Sequence, residues 1–242
     1  MEGLLEWDEQ VNLPPASADF RAGQTSALAT LAHQAATDPA IGELLNGLES
    51  DRDSLDADAR LVLHHARRDY DRLVKLPDEF VARRSTARSR AYHAWAKARA
   101  NNDYASFAPF LREQLDLARE EAACLGYSEA DAYDYHIDLH DPGMDCATVE
   151  SLFSSLRDEL VPFVRQVLEK AQTSRADEVF RGFPVSDQEA FVREVTAALG
   201  FDYERGRLDR SLHPFCAGTP EDTRMTTRFH PDHPLDALFS AI

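Results

Sequence analysis

Apolar residues recur at three- and four-residue steps through most of the chain. The longest such run follows Pro142-Gly143, where Val149, Leu152, Phe153, Leu156, Leu160, Val161, Val164, Val167 and Leu168 fall on one side of a helical projection. That spacing predicts one long amphipathic helix that continues through Pro162. Helix starts are written at Thr37-Asp38-Pro39, a cap followed by proline at the first helical position. Leu76-Pro77-Asp78-Glu79 repeats the grammar with acids in the first turn. Ser186-Asp187-Gln188-Glu189 has the spacing of a capping box, opening a helix whose apolar face is Phe191, Val192, Val195 and Leu199. Gly200 is placed to end that helix, and Gly126 to end the one before Tyr127.

The period changes after Phe201. In residues 222–229, Thr223, Met225, Thr227 and Phe229 alternate with Asp222, Arg224, Thr226 and Arg228, which predicts a strand with two unlike faces. Leu235, Leu238, Phe239 and Ile242 return to helical steps and the sequence then stops, as if a helix had been cut. No internal repeat or Gly/Ser tract divides the chain.

Composition turns this pattern into a fold class. The 242 residues include 35 Ala and 27 Leu against 12 Val and 3 Ile, so helix formers dominate and an all-α protein is expected, apart from the strand near its C-terminal end. The formal charge of −17 excludes generic nucleic-acid binding by bulk charge. No apolar run approaches a membrane span and the N-terminus lacks a signal-peptide pattern, so a soluble, cytoplasmic protein without membrane or nucleic-acid partners is expected. Cys124, Cys146 and Cys216 fit neither a disulfide framework nor a cysteine zinc site and are expected to be buried thiols.

Candidate chemistry is sparse. Walker, dinucleotide, nucleophile-elbow and H-E-x-x-H motifs are all missing from the sequence. His136 and His140, one helical turn apart, could offer two imidazoles to a metal, but no third ligand is identifiable. His230-Pro231-Asp232-His233 is a similar metal candidate, but the proline inside it argues for a polar loop. Residues 81–100 hold Arg83, Arg84, Arg88, Arg90, Lys97 and Arg99 and no acid, which makes either a solvated face backed by Tyr92 and Trp95, or an electropositive wall for anionic groups or for acidic neighbours inside a larger assembly. The densest stretch runs from Gly206-Arg207-Leu208-Asp209 to Thr227. There Arg224, between Asp222 and Thr226 on one strand face, is either a fork for a carboxylate or carbonyl or part of a structural salt-bridge ladder.

A wider set of residues carries a resemblance. It includes Leu5-Glu6-Trp7-Asp8-Glu9-Gln10 with Leu13-Pro14-Pro15, Arg67-Arg68-Asp69-Tyr70-Asp71, Leu76-Pro77 and Trp95-Ala96-Lys97-Ala98-Arg99. Phe107-Ala108-Pro109-Phe110-Leu111, Asp141-Pro142-Gly143-Met144 and Leu199-Gly200-Phe201-Asp202 continue it. With H-P-F as His213-Pro214-Phe215 and D-x-R-x-T as Asp222-Thr223-Arg224-Met225-Thr226, in order, the chain resembles the carboxypeptidase Taq family of metallocarboxypeptidases. The resemblance implies an elongated helical fold with a deep groove, a small sheet bordering the active site, release of single residues from peptide C-termini, and homodimers. It also implies a zinc or cobalt ion held by H-E-x-x-H and a downstream glutamate, with the motif's own glutamate as general base.

Those metal residues are not in this sequence. The helix entered at Leu235 would run into H-E-x-x-H, and the sequence stops at Ile242. The expectation is therefore that residues 1–242 form the N-terminal portion of a single metallocarboxypeptidase domain, inactive and metal-free as it stands, with no catalytic residue or metal ligand assigned. His213, Asp222, Arg224 and Thr226 are placed at the substrate cleft, the Asp-Arg pair stabilising the sheet that lines it. The rival reading is a non-catalytic helical scaffold or pseudoenzyme fragment that binds peptides or pairs with a full-length relative. A third is completion of the site by a separately encoded second half. Surface that the other half would cover is expected to leave the isolated chain poorly soluble or molten.

Overall fold

The computed structural model describes residues 1–171 and 181–241. In chain order the elements are α1 (Glu2–Val11), α2 (Ala18–Ala36), α3 (Pro39–Ser50), α4 (Ala57–Leu73), α5 (Asp78–Ala100), α6 (Tyr104–Cys124), α7 (Ala132–His140), α8 (Cys146–Lys170) and α9 (Val185–Ala198). Strands β1 (Gly206–Arg210), β2 (Cys216–Thr219) and β3 (Asp222–Thr227) and the helix α10 (Pro234–Phe239) complete them. The protein is thus mainly helical with a small three-stranded sheet near the C-terminal end. Two compact units result, one of residues 19–163 and one of residues 1–18 together with 164–242.

The 19–163 unit is built on short-range helix signals. Asp38 caps α3 by accepting the Ala40 N–H at 2.8 Å, with Pro39 at the first helical position. Pro77 leads into α5, whose first turn carries Asp78 and Glu79 against the positive end of the helix dipole. Leu76, Phe80, Val81, Ala87 and Leu117 form the core where α5 meets α6. The buried His33 of α2 hydrogen-bonds the Leu76 carbonyl through Nε2 at 2.9 Å and holds the entry to α5. α6 ends at Gly126, which adopts φ 96°. The N–H groups of Gly126 and Tyr127 return to the carbonyls of Ala123 and Ala122, satisfying the terminal carbonyls as the glycine's position predicts.

The basic stretch of α5 finds its counter-charges next door, Arg83 on Glu120 and Arg84 on Glu121 of α6. Glu121 also accepts the Tyr135 hydroxyl at 3.0 Å. Burial first, and Glu121 next, push the Tyr135 phenol above its ordinary range. Arg68 and Arg72 of α4 converge on Asp138 of α7, which also accepts the Gly143 N–H at 2.7 Å. That backbone donor, then the two arginines, hold the Asp138 carboxyl below the usual range. These ion pairs tie α4 to α7 and α5 to α6.

The cysteines depart from expectation. Cys146 and Cys216 are exposed and Cys124 is half-buried. Cys146 sits at the start of α8, a helix with no buried residue, and Cys216 on β2, an edge strand. α8 itself runs unbroken through Pro162, as its spacing predicts.

In the second unit, the capping box expected at Ser186 does not form. α9 begins two residues earlier, with Pro184 in the cap position, and the Glu189 carboxylate is drawn instead to Arg210 at 2.6 Å and Arg193 at 3.4 Å. Gly200 ends α9 at φ 101°, with the N–H groups of Gly200 and Phe201 returning to Ala197 and Thr196. The sheet order is β1-β3-β2, with β1 parallel and β2 antiparallel to the central β3. Leu208 pairs in register with Met225, and together they bury against Val192 of α9 and Ala237 of α10. The Thr227 hydroxyl donates to the Ala237 carbonyl at 3.0 Å, fastening α10 to the central strand. Leu235, Leu238 and Phe239 lie on α10, while Ile242 falls outside the described residues.

Candidate functional site

Alternation along β1 and β3 places Leu208 and Met225 on the packed face and Arg207, Asp209, Asp222, Arg224 and Thr226 on the other. Register sets Arg207 directly beside Arg224. Two adjacent guanidiniums repel unless something attracts both and neutralises them, and Trp7 of α1 does the first. Its ring lies 4.8 Å from the Arg207 guanidinium and 4.5 Å from that of Arg224, and the side chain is only 6% exposed. The indole N–H donates to Asp209 Oδ2 at 2.9 Å.

Carboxylates do the second. Asp209 accepts from Arg207 at 2.7 and 2.6 Å, and Asp222 accepts from Arg224 at 2.6 and 3.1 Å, both as two-point forks. Hydrogen bonding to Asp209 raises the Arg207 guanidinium above its ordinary value, and Arg224 holds Asp222 below its own. The Arg224 fork is thus held by Asp222, the salt-bridge reading of that strand.

Thr226, fully buried, joins the two motifs of the second unit. Its hydroxyl accepts the Phe215 N–H at 3.0 Å and lies 3.1 Å from the Phe215 carbonyl, which also accepts the Thr226 N–H at 2.8 Å. Ser211 Oγ lies 2.8 Å from Thr226 Oγ1 and 2.7 Å from the His213 carbonyl oxygen. The His-Pro-Phe loop is therefore pinned across the end of β3. His213 itself is exposed, with Nδ1 on the Pro214 carbonyl at 2.9 Å, and joins the cluster through its backbone. Structure brings Asp222, Arg224 and Thr226 together and adds Trp7, Arg207 and Asp209. The pattern Arg-x-Asp in β1, an inverse of Asp-x-Arg in β3, was the available signal for the last two.

The chemistry of this face is that of paired charges. Proton transfer needs a group poised near working pH. The shifts resolved here, Asp222 and Glu189 downward and Arg207 upward, move each group deeper into its charged form. Among the described residues no three His, Cys, Asp or Glu side chains converge as ligands. His136 Nε2 is engaged by the Ala118 carbonyl at 3.1 Å and its ring packs on Tyr135, while His140 is exposed. His230 and His233 stack in an exposed turn with ring centres 5.0 Å apart, and His230 Nδ1 accepts the Asp232 N–H. Nor is any helix among the described residues long and apolar enough to cross a membrane.

The chain is thus a mainly helical protein with a small mixed sheet that carries the His-Pro-Phe and Asp-x-Arg-x-Thr motifs beside Trp7. The model of the carboxypeptidase Taq (M32) metallopeptidase family matches residues 1–242, and the chain belongs to that family. Thermostable carboxypeptidase 1 of Thermus thermophilus is 33% identical over 253 residues, covering 99% of this chain and 49% of that protein. Carboxypeptidase 1 of Bacillus subtilis is 27% identical, covering 99% and 48%. Among solved structures, the M32 carboxypeptidase of Deinococcus radiodurans R1 is 37% identical with a TM-score of 0.78, and BsuCP is 27% identical with a TM-score of 0.89; each match covers 99% of this chain and 48% of the other. The chain spans about half the length of the relatives it matches.

Proposed function

We propose that this chain is the N-terminal half of a metal-dependent carboxypeptidase, and that its sheet supplies one wall of the cleft in which a peptide C-terminus is cut. The observation that carries the reading is the family match along all of residues 1–242 at about half the relatives' length. On this reading Arg224, Asp222 and Thr226 hold the wall rigid and His213 stands at its rim. Metal ligands and general base come from the other half. The intact protein acts on peptides with zinc or cobalt, works as a cytoplasmic homodimer, and forms one domain of which residues 1–242 are the first portion.

The test is hydrolysis of N-blocked peptides, read as released C-terminal amino acid, with zinc or cobalt supplied. The chain alone is expected to be inactive, and its fusion at Ile242 to the second half of the Deinococcus radiodurans M32 carboxypeptidase active. Release by the chain alone, with one ion bound per chain, would overturn the division of labour. A folded, metal-loaded fusion without activity would favour the scaffold reading.

A further inference from the structure

We propose that Ser211 is a positioning residue of the peptide cleft, fixing through a relay of hydroxyl groups how the His-Pro-Phe loop presents the His213 ring to substrate. The inference rests on the functional reading above. Ser211 belongs to neither motif, yet its side chain joins them. The sheet places it, because its N–H donates to the Thr227 carbonyl at 3.1 Å just past the end of β1. Its Oγ lies 2.7 Å from the His213 carbonyl oxygen and 2.8 Å from Thr226 Oγ1, which accepts the Phe215 N–H at 3.0 Å and lies 3.1 Å from the Phe215 carbonyl oxygen. Each hydroxyl has one proton to give, and a carbonyl only accepts. The 2.7 Å contact thus takes the Ser211 proton, and the 2.8 Å contact takes that of Thr226. Only the longest contact is left without one, and its Phe215 carbonyl already receives the Thr226 N–H. Donation therefore runs one way, from the Phe215 N–H through Thr226 and Ser211 to the His213 carbonyl.

That relay grips both peptide units that flank Pro214. Ser211 takes the His213 carbonyl of the first, and Thr226 takes the Phe215 N–H of the second. In a planar trans unit the Pro214 carbonyl then points away from Thr226. It meets His213 Nδ1 at 2.9 Å. Since this carbonyl too can only accept, Nδ1 carries the proton of the neutral ring and Nε2 is left as the acceptor. His213 is exposed, and none of the described residues bonds to Nε2. An open acceptor of fixed direction suits a backbone N–H of a bound peptide, the donor that a peptide offers whatever its side chains. Without the Ser211 hydroxyl the first peptide unit loses its hold and the ring its direction.

The experiment has two readouts. Nitrogen NMR of this chain, isotopically labelled in its histidines, is expected to show the His213 ring as the Nδ1–H tautomer, its signal assigned by loss in His213→Ala. Ser211→Ala is expected to shift the ring towards Nε2–H and to speed amide exchange at Phe215, and Ser211→Thr to restore both. In Ser211→Ala the Thr226 hydroxyl can turn to the Phe215 carbonyl, so no buried donor is orphaned and circular dichroism should show the variant folded. The second readout is the fusion at Ile242 to the second half of the Deinococcus radiodurans M32 carboxypeptidase. There Ser211→Ala is expected to raise KM for an N-blocked peptide about fivefold at constant kcat, the effect of a hydrogen bond made alike in ground and transition states. Because Ser211 acts through His213, it should raise KM no further in a His213→Ala background. An Nε2–H ring in wild type, a KM unmoved by Ser211→Ala, or full additivity of the two substitutions would each overturn the proposal. An inactive wild-type fusion defeats the functional reading alone, and the ring tautomer of this chain then upholds or overturns the positioning by Ser211.

Discussion

Replacing Trp7 by Phe tests whether the Arg-Trp-Arg stack holds the sheet unit together. The substitution keeps an aromatic body but removes the indole N–H that Asp209 accepts and shrinks the face shared by Arg207 and Arg224. Arg224 is 20% exposed in its side chain and Arg207 50%, so the cation–π contributions sit near the desolvated and exposed ends of the range, about 2 and about 0.5 kcal/mol. A hydrogen bond to an ionised carboxylate contributes about 1.5 kcal/mol or more. Phenylalanine retains part of the first two, which leaves an expected loss of about 2 kcal/mol. That corresponds to roughly 30-fold more frequent opening of β1. Urea unfolding followed by circular dichroism reads the total, and amide exchange in β1 and β3 reads the local effect. A change below about 0.5 kcal/mol, with exchange in Gly206–Arg210 unaltered, would refute the idea that the stack stabilises this face.

Thr226→Val keeps shape but leaves the part-buried Phe215 N–H without its hydroxyl acceptor, for an expected loss of about 1 kcal/mol or more by thermal unfolding that Thr226→Ser restores. Gly218 has φ 104°, and a Cβ there would stand 2.0 Å from the Asp222 carbonyl oxygen, so Gly218→Ala is expected to cost upwards of about 2 kcal/mol and to lose protection in β2 and β3. The Arg210 hydrogen bond holds Glu189 below the ordinary glutamate range. Its contribution to stability is therefore complete above about pH 4.3, the unfolded value, and is lost as pH falls through the folded one. Acid titration of stability should steepen below that point in wild type and flatten in Glu189→Gln.

Elements whose signals are local were legible in the sequence. Asp38-Pro39, Gly126, Gly200 and the apolar steps of α8 each act within one or two turns, and the structure places helix ends and length accordingly. The capping box at Ser186 failed because its Glu189 has a stronger partner in Arg210, 21 residues away, which a local rule does not weigh. Trp7 was visible as part of a motif, but its partner Asp209 lies 202 residues along the chain, and no periodicity connects them. The fork of Arg224 could be read either way from β3 alone, since spacing does not say whether Asp222 or another carboxylate fills it, and only the sheet register brings Arg207 beside it. Cysteine burial misled for the same reason, an edge strand and an uncovered helix being properties of the assembled fold.

The strand order β1-β3-β2 has a kinetic corollary. Because β3 is the last of the three in sequence yet lies between the other two, β1 and β2 never bond to each other. The local hairpin of β2 and β3 can close early, but β1 emerges from synthesis first and waits for Asp222–Thr227 before its ladder exists. During that interval Leu208 has no sheet partner and Trp7 has only one of its two arginines. The sheet then completes in a single step, when β3 arrives with Met225, Arg224 and Thr226 together, so damage to any one of these positions should appear as slower assembly of all three strands.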